Sequence, residues 1–214
     1  KVLACHHAAA ETLEGWEECF AQVVANGFTD QKSPPFVVSD GNQVLRGAVD
    51  LWLPWSPHQR CIWHIAYRAR NKAPEAHKEA FERDALWAFK APTLIEARAR
   101  LRKLSQRWRR DAPDSLDSVK AKFDQGTQHL HQPPGSLAPR TAGICERYNQ
   151  EPKRRSKAMR GYRNDTCMQA MTRLVALRHN CNCDRTDWLQ HAARSTWRAD
   201  INGVTAQQHN GPHN

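Results

Sequence analysis

No stretch of this 214-residue chain stays apolar for anything near the ~20 residues that a membrane-crossing helix needs. No segment has the charged, apolar and cleavage regions of a signal peptide. There is no internal repeat, and no even set of cysteines. The seven that occur, Cys5, Cys19, Cys61, Cys145, Cys167, Cys181 and Cys183, are scattered. Without a secretory signal, that pattern argues against a disulfide framework and for a reducing compartment, cytoplasm or nucleoid. An initiator Met is also missing. Lys1 leads directly into Val2-Leu3-Ala4-Cys5, so the expectation is a fragment whose upstream strands are absent. Acidic charge becomes scarce beyond residue 58. Residues 1–58 hold three basic and seven acidic side chains, whereas residues 59–214 hold 29 basic and 15 acidic ones. A basic excess of this size favours a polyanion partner, because each Lys or Arg near a phosphate releases condensed counterions.

Hydrophobic periodicity divides the chain. Residues 2–6 read as a short buried strand, 36–39 as a continuous apolar strand after Pro34-Pro35, and 59–63 as a third strand. Leu13, Trp16, Cys19, Phe20, Val23 and Val24 have helical spacing, with Gly27 as a stop. Val44, Leu45, Ala48, Val49 and Trp52 mark a second amphipathic helix that ends before Pro54. Residues 1–64 therefore read as an α/β unit with a buried sheet. Helical signals fill 65–125, broken near Pro74, Pro92 and Pro113. Within it, 94–110 carries seven basic residues and one acid over an apolar stripe of Leu94, Leu101, Leu104 and Trp108. Residues 126–143 read as a loop, and helix returns at 144–151. Another helix spans 166–179, with Asp165 as N-cap and Cys167, Met171, Leu174 and Val175 facing the core. Residues 185–198 read as helical, and the polar tail at 201–214 as disordered. Trp63, Trp108 and Trp188 are expected in the core.

Two carboxylates stand out. Asp40 closes the run Phe36-Val37-Val38-Ser39, at the carboxyl end of a strand, where ligands of α/β sheets gather. It could equally cap the helix that begins near Asn42. Glu146 shares a helical stripe with Asn149, Gln150 and Lys153, a set that suits a metal ion and a phosphate backbone and equally a solvated helix. Two carboxylates that share metal ions can activate an attacking oxygen and stabilise a leaving one. Between them lies Cys61-Ile62-Trp63-His64, half a zinc site by spacing; Cys181-Asn182-Cys183 offers an unusual second half, so zinc is not expected.

Three blocks in order resemble the Mutator-type transposases of bacterial insertion sequences. They are Val37-Val38-Ser39-Asp40-Gly41, then Gln59-Arg60-Cys61-Ile62-Trp63-His64, then the segment from Arg140 to Arg155. The second is similar to that family's Q-R-C-x-x-H block. The third is similar to its R-T-[TS]-N-x-x-E-R-x-N-R-E-x-K-R-R block. The likeness runs from about residue 2 to 180.

The resemblance implies a ribonuclease-H-like sheet and helices, strongly helical overall, with an all-helical insertion. Residues 1–64 would be the partial α/β core with the second catalytic Asp, 65–139 the insertion and loop, and 140–200 the helices carrying the catalytic Glu. It implies a D-D-E triad holding Mg²⁺ or Mn²⁺, in which Asp40 matches the second Asp and Glu146 the Glu. The first Asp would lie upstream of Val2. Cys61 and His64 would neighbour the active site, and Arg147, Asn149, Lys153, Arg154 and Arg155 would contact DNA. Two positions depart from the pattern: Gly143 stands at an Asn position, and Pro152 at a usually apolar helical one. Inside a helix Pro152 removes a hydrogen bond and costs roughly 3 kcal/mol, so a kink or stop is expected there. The resulting expectation is a transposase catalytic core acting on double-stranded DNA at the nucleoid, with homo-oligomerisation left open. Two rivals stand beside it: a catalytically incomplete DNA-binding fragment, and a zinc-stabilised helical DNA-binding module with no sheet.

Overall fold

A helix precedes the first strand. The computed structural model describes residues 2–4, 11–26, 28, 34–133, 136, 138–158, 161 and 164–183. The expected 185–198 helix, the 201–214 tail, Gly27 and Trp188 lie outside them. Helix α1 (Leu13–Ala25) starts at Thr12, whose hydroxyl accepts the Gly15 N–H at 3.2 Å. Strand β1 (Val37–Ser39), helix α2 (Gln43–Trp52) and strand β2 (His58–Arg60) follow. The strands pair in parallel, with Val38 opposite Gln59 and Ser39 opposite Arg60. Parallel neighbours require a crossover, and α2 provides it. Helix α1 packs on α2, with Phe20 and Trp52 stacked at 6.5 Å.

Two strand expectations change. Of the expected strand at 2–6, residues 5 and 6 lie outside the described residues, and 2–4 form no strand, because their backbone groups pair with side-chain amides instead of a ladder. Asn180 accepts the Val2 N–H at 2.6 Å and donates to the Val2 carbonyl at 2.8 Å, while Asn26 donates to the Leu3 carbonyl at 2.7 Å. The expected strand at 59–63 stops at Arg60. Its last residues instead open helix α3 (Ile62–Arg70), where Ile62, Ile65, Ala66 and Ala69 at helical spacing are all buried.

That apolar face begins the largest buried cluster. It runs through α3, α4 (Lys78–Phe89), α5 (Leu94–Trp108), α6 (Pro113–Lys120) and α7 (Phe123–Gly126). Local chemistry sets the boundaries. Thr93 caps α5 by accepting the Glu96 N–H at 3.2 Å, a Thr-x-x-Glu box. Pro113 occupies the first turn of α6, where its missing N–H costs nothing. Leu104 and Trp108 are buried as expected, and Trp108 donates its indole N–H to Asp84 at 2.9 Å. Phe81 packs edge-on against Trp108, and Phe89 stacks on Phe123. Truncating either fully buried phenylalanine, Phe81 or Phe89, would cost about 3–5 kcal/mol.

Helices α8 (Gly143–Ala158) and α9 (Asp165–Cys183) pack together. Helix α8 runs on through Pro152 to Ala158, past the expected break. Glu151 spans that turn, pairing with Arg154 at 2.8 Å and with Arg155 at 2.8 and 3.0 Å; pairs of this kind add a few tenths of a kcal/mol each to the helix. The cap of α9 is Asn164, not Asp165: its Oδ1 accepts the Cys167 N–H at 2.9 Å. Val175 and Ala176 bury themselves, whereas Leu174 is 59% exposed and Cys167 faces out. The core stripe is therefore rotated from the expected one.

Among the described residues, no helix is long and apolar enough to cross a membrane.

Candidate active site

Parallel pairing makes β1 and β2 end at one edge, and Asp40 and Cys61 leave from that edge. Cys61 donates its backbone N–H to the Ser39 carbonyl at 2.7 Å, one rung beyond β2. Asp40 follows Ser39 immediately. Its Oδ1 accepts the Asn42 N–H at 2.9 Å in an Asx turn, and its Oδ2 lies 3.9 Å from Arg68. Asn42, not Asp40, caps α2, accepting the Val44 N–H at 2.8 Å. The Asp40 side chain is 42% exposed, so its carboxylate stays accessible. Gly41 turns the chain at φ +86°, with the Arg60 guanidinium against its Cα.

Glu146 reaches the same edge from far along the chain. The Ile62 N–H donates to the Arg140 carbonyl at 3.2 Å, and the Ala142 N–H to Cys61 Sγ at 3.5 Å. These two bonds pin the entry of α8 onto the exit of β2. Glu146 sits in the first turn of α8, where the helix dipole favours a carboxylate. His64 lies one turn after Cys61 on α3, and its Nδ1 is 3.6 Å from Glu146 Oε1. That is beyond hydrogen-bond length, and the buried Nδ1 has no hydrogen-bond partner. Cys61, His64 and Glu146 each offer a ligand atom, all within 4.8 Å of one another.

The residues separate by donor chemistry. Asp40 and Glu146 present accessible carboxylate oxygens, the hard donors that Mg²⁺ takes from one or two protein carboxylates together with substrate phosphates and water. On that ground the pair fits the ion. Cys61 and His64 offer sulfur and nitrogen, which Mg²⁺ does not favour.

The basic run lies along α8. Arg147, Asn149, Lys153 and Arg154 are exposed and Arg155 is half-buried. Two of them already have an internal partner, since Arg154 and Arg155 both bind Glu151 and hold its carboxyl below the usual range. Arg147, Arg154 and Arg155 line an open cleft of about 450 Å³ between α8 and α9, joined there by Arg178 and His179. Arg178 gives no signal of this in the sequence, since it lies on α9 with no basic run around it. Trp63 was expected in the core. It is 41% exposed and stacks on Tyr67 at 5.1 Å, because Ile62 and Ile65 take the buried face of α3.

Gln59 has a role that its motif does not announce. It is fully buried. Its Nε2 donates to the Gly126 carbonyl at 2.6 Å and the Arg60 carbonyl at 2.9 Å, and its Oε1 accepts the His129 N–H at 3.0 Å. It ties β2 to the end of the helical region.

The rival with no sheet does not fit the β1–β2 pair, and the Cys183 side chain lies outside the described residues.

The family described as "Transposase, Mutator family" matches residues 1–185. The transposase for insertion sequence element ISRM5 of Rhizobium meliloti (strain 1021) is 23% identical over 181 residues, 84% of this chain and 45% of that protein. The transposase for insertion sequence element IS406 of Burkholderia multivorans (strain ATCC 17616 / 249) is 26% identical over 181 residues, 82% of this chain and 45% of that protein. The chain thus spans somewhat under half the length of these relatives.

Proposed function

Since the chain belongs to the Mutator family of transposases, we propose that it is the part of a DNA transposase that contributes Asp40 and Glu146 to a metal-dependent strand-cleavage and strand-transfer site. The supporting observation is the convergence at one strand edge. Cys61 bonds to the residue before Asp40 and also accepts from Ala142, four residues ahead of Glu146. We read the β1–α2–β2 unit as part of a ribonuclease-H-like sheet, with the helices of 65–139 as its insertion. The third carboxylate, an Asp in that reading, would come from a strand preceding Val2.

Bound Mg²⁺ or Mn²⁺ would supply Lewis acidity toward the attacking and leaving oxygens of a phosphodiester. Asp40 and Glu146 would hold it. The exposed cations of α8 would hold the DNA phosphates, which positions the duplex without reading its sequence. Water would attack first, breaking a P–O3′ bond to free a 3′-hydroxyl at the element end; that hydroxyl would then attack a target phosphodiester, displacing the target strand's own 3′-oxygen as the leaving group. The partner is double-stranded DNA, which places the protein at the nucleoid in the cytoplasm.

The test is Asp40→Ala and Glu146→Ala in the full-length protein, assayed for Mg²⁺-dependent nicking of element-end DNA and for binding by gel shift. Cleavage is expected to vanish in both variants while binding persists. Unchanged cleavage in either variant would sink the proposal. The 214-residue chain alone is expected to bind DNA without nicking it.

A further inference from the structure

We propose that Cys61, His64 and Glu146 form a binding site for a zinc-class divalent cation, and that filling it withdraws Glu146 from the Mg²⁺ site. The second half rests on the function proposed above; the first half does not.

The donor set carries the chemistry. A thiolate sulfur, an imidazole nitrogen and a carboxylate oxygen are the ligands that Zn²⁺ takes, and three protein ligands with one open position are a common zinc arrangement. Soft and borderline donors select such an ion over Mg²⁺. Cys61 and His64 are spaced i, i+3 at the start of α3 and therefore share a face. The sequence offers Cys181 and Cys183 only as an unusual second half, whereas the fold brings Glu146, from the first turn of α8.

Geometry agrees. Ligands at 2.0–2.3 Å from a tetrahedral zinc stand roughly 3.3–3.8 Å apart. His64 Nδ1 and Glu146 Oε1 are already 3.6 Å apart, and all three ligand atoms lie within 4.8 Å. The Glu146 side chain is 45% exposed, which leaves it free to close the remaining gap. His64 Nδ1 is buried without a hydrogen-bond partner. Leaving such an atom unpaired is unfavourable, and a cation between it and Glu146 would satisfy it. The Ala142 N–H points at Cys61 Sγ from 3.5 Å, the kind of outer contact that orients a metal-bound sulfur.

Cobalt(II) chloride titrated into the 214-residue chain tests the site without any activity assay. One equivalent is expected to produce a sulfur-to-cobalt charge-transfer band and the intense visible bands of a four-coordinate ion, and zinc chloride should erase both. Cys61→Ser is expected to abolish the charge-transfer band, while Cys145→Ser keeps it. Because Cys61 is buried, His64→Ala and Glu146→Gln provide second variants, with folding checked by circular dichroism. Each should weaken cobalt binding by at least the ~10–100-fold that losing an outer-shell partner costs. Absence of the charge-transfer band, its survival in Cys61→Ser, or unchanged affinity in both other variants would overturn the site.

Withdrawal of Glu146 is tested in the full-length protein. Zinc at a fixed excess of Mg²⁺ should inhibit cleavage, and His64→Ala should need more zinc for equal inhibition. Zinc binding with no inhibition would overturn the withdrawal and leave the site standing. A cobalt band that depends on Glu146, alongside cleavage that survives Glu146→Ala, would sink the proposed function and not the site.

Discussion

Gln59 holds His129. The Gln59 Oε1 accepts the His129 backbone N–H at 3.0 Å and lies 3.3 Å from the ring Nδ1, while its Nε2 donates to the Gly126 carbonyl. A buried amide thus fastens the strand that precedes Cys61 to the turn that follows the helical region.

Gln59→Leu keeps the volume and removes those bonds. The His129 N–H would be left buried and unpaired, and the Gly126 carbonyl would lose its bond from Gln59. A loss of about 2–4 kcal/mol is expected, read from the urea midpoint at constant slope. An unchanged midpoint would show that water replaces the amide.

Stability should fall in mild acid through His129. Burial, with the Arg140 charge adding to it, pushes its imidazole down to about 4 from an ordinary 6.5. As pH falls below 6.5 the unfolded chain takes the proton first, so this group drains stability down to about pH 4 and adds no further change below it. The loss is roughly 2–3 kcal/mol. Urea midpoints between pH 7 and 4 should drop more steeply in the wild type than in His129→Gln, and parallel curves would count against this account.

Gly41→Ala should disturb the Asp40 end. At φ +86° a side chain costs about 1–2 kcal/mol, and the new Cβ would meet Arg60 Nε and Cζ. Arg60 must then move, and the turn carrying Asp40 with it. Cleavage by the full-length protein is expected to fall further than DNA binding does. Comparing nicking rates with gel-shift affinity separates the two, and an equal fall in both would argue for general unfolding.

Releasing the arginines of α8 should strengthen DNA binding. Glu151 engages both Arg154 and Arg155. Glu151→Gln frees them, so affinity should rise and the salt dependence steepen by about 0.9 for each new phosphate contact. Fluorescence anisotropy across a salt series measures both. Weaker binding would mean that Glu151 holds the two arginines in their DNA-binding pose.

Much of the helical layout was legible locally. The apolar spacing of Leu13 to Val24, the break near Pro92 and the stripe ending at Trp108 each depend on residues within a turn or two. The position of Asp40 after an apolar strand was legible for the same reason. The expected core face of helix α9 holds in part: Val175 is buried, together with Ala176, but Leu174 is exposed. Pro152 is expected to kink or stop its helix, and helix α8 does not stop there but continues to Ala158.

Local patterning is enough to set a carboxylate at a strand end, a second on a basic helix, and a Cys and His one turn apart between them. It takes long-range packing to bring Glu146 to His64, to bury Gln59 as a tether, and to pair Val2 with an asparagine side chain instead of a strand. These contacts join residues far apart along the chain. Closing such loops depends on which surfaces meet once the helices pack, and that leaves no periodic trace in the neighbouring residues.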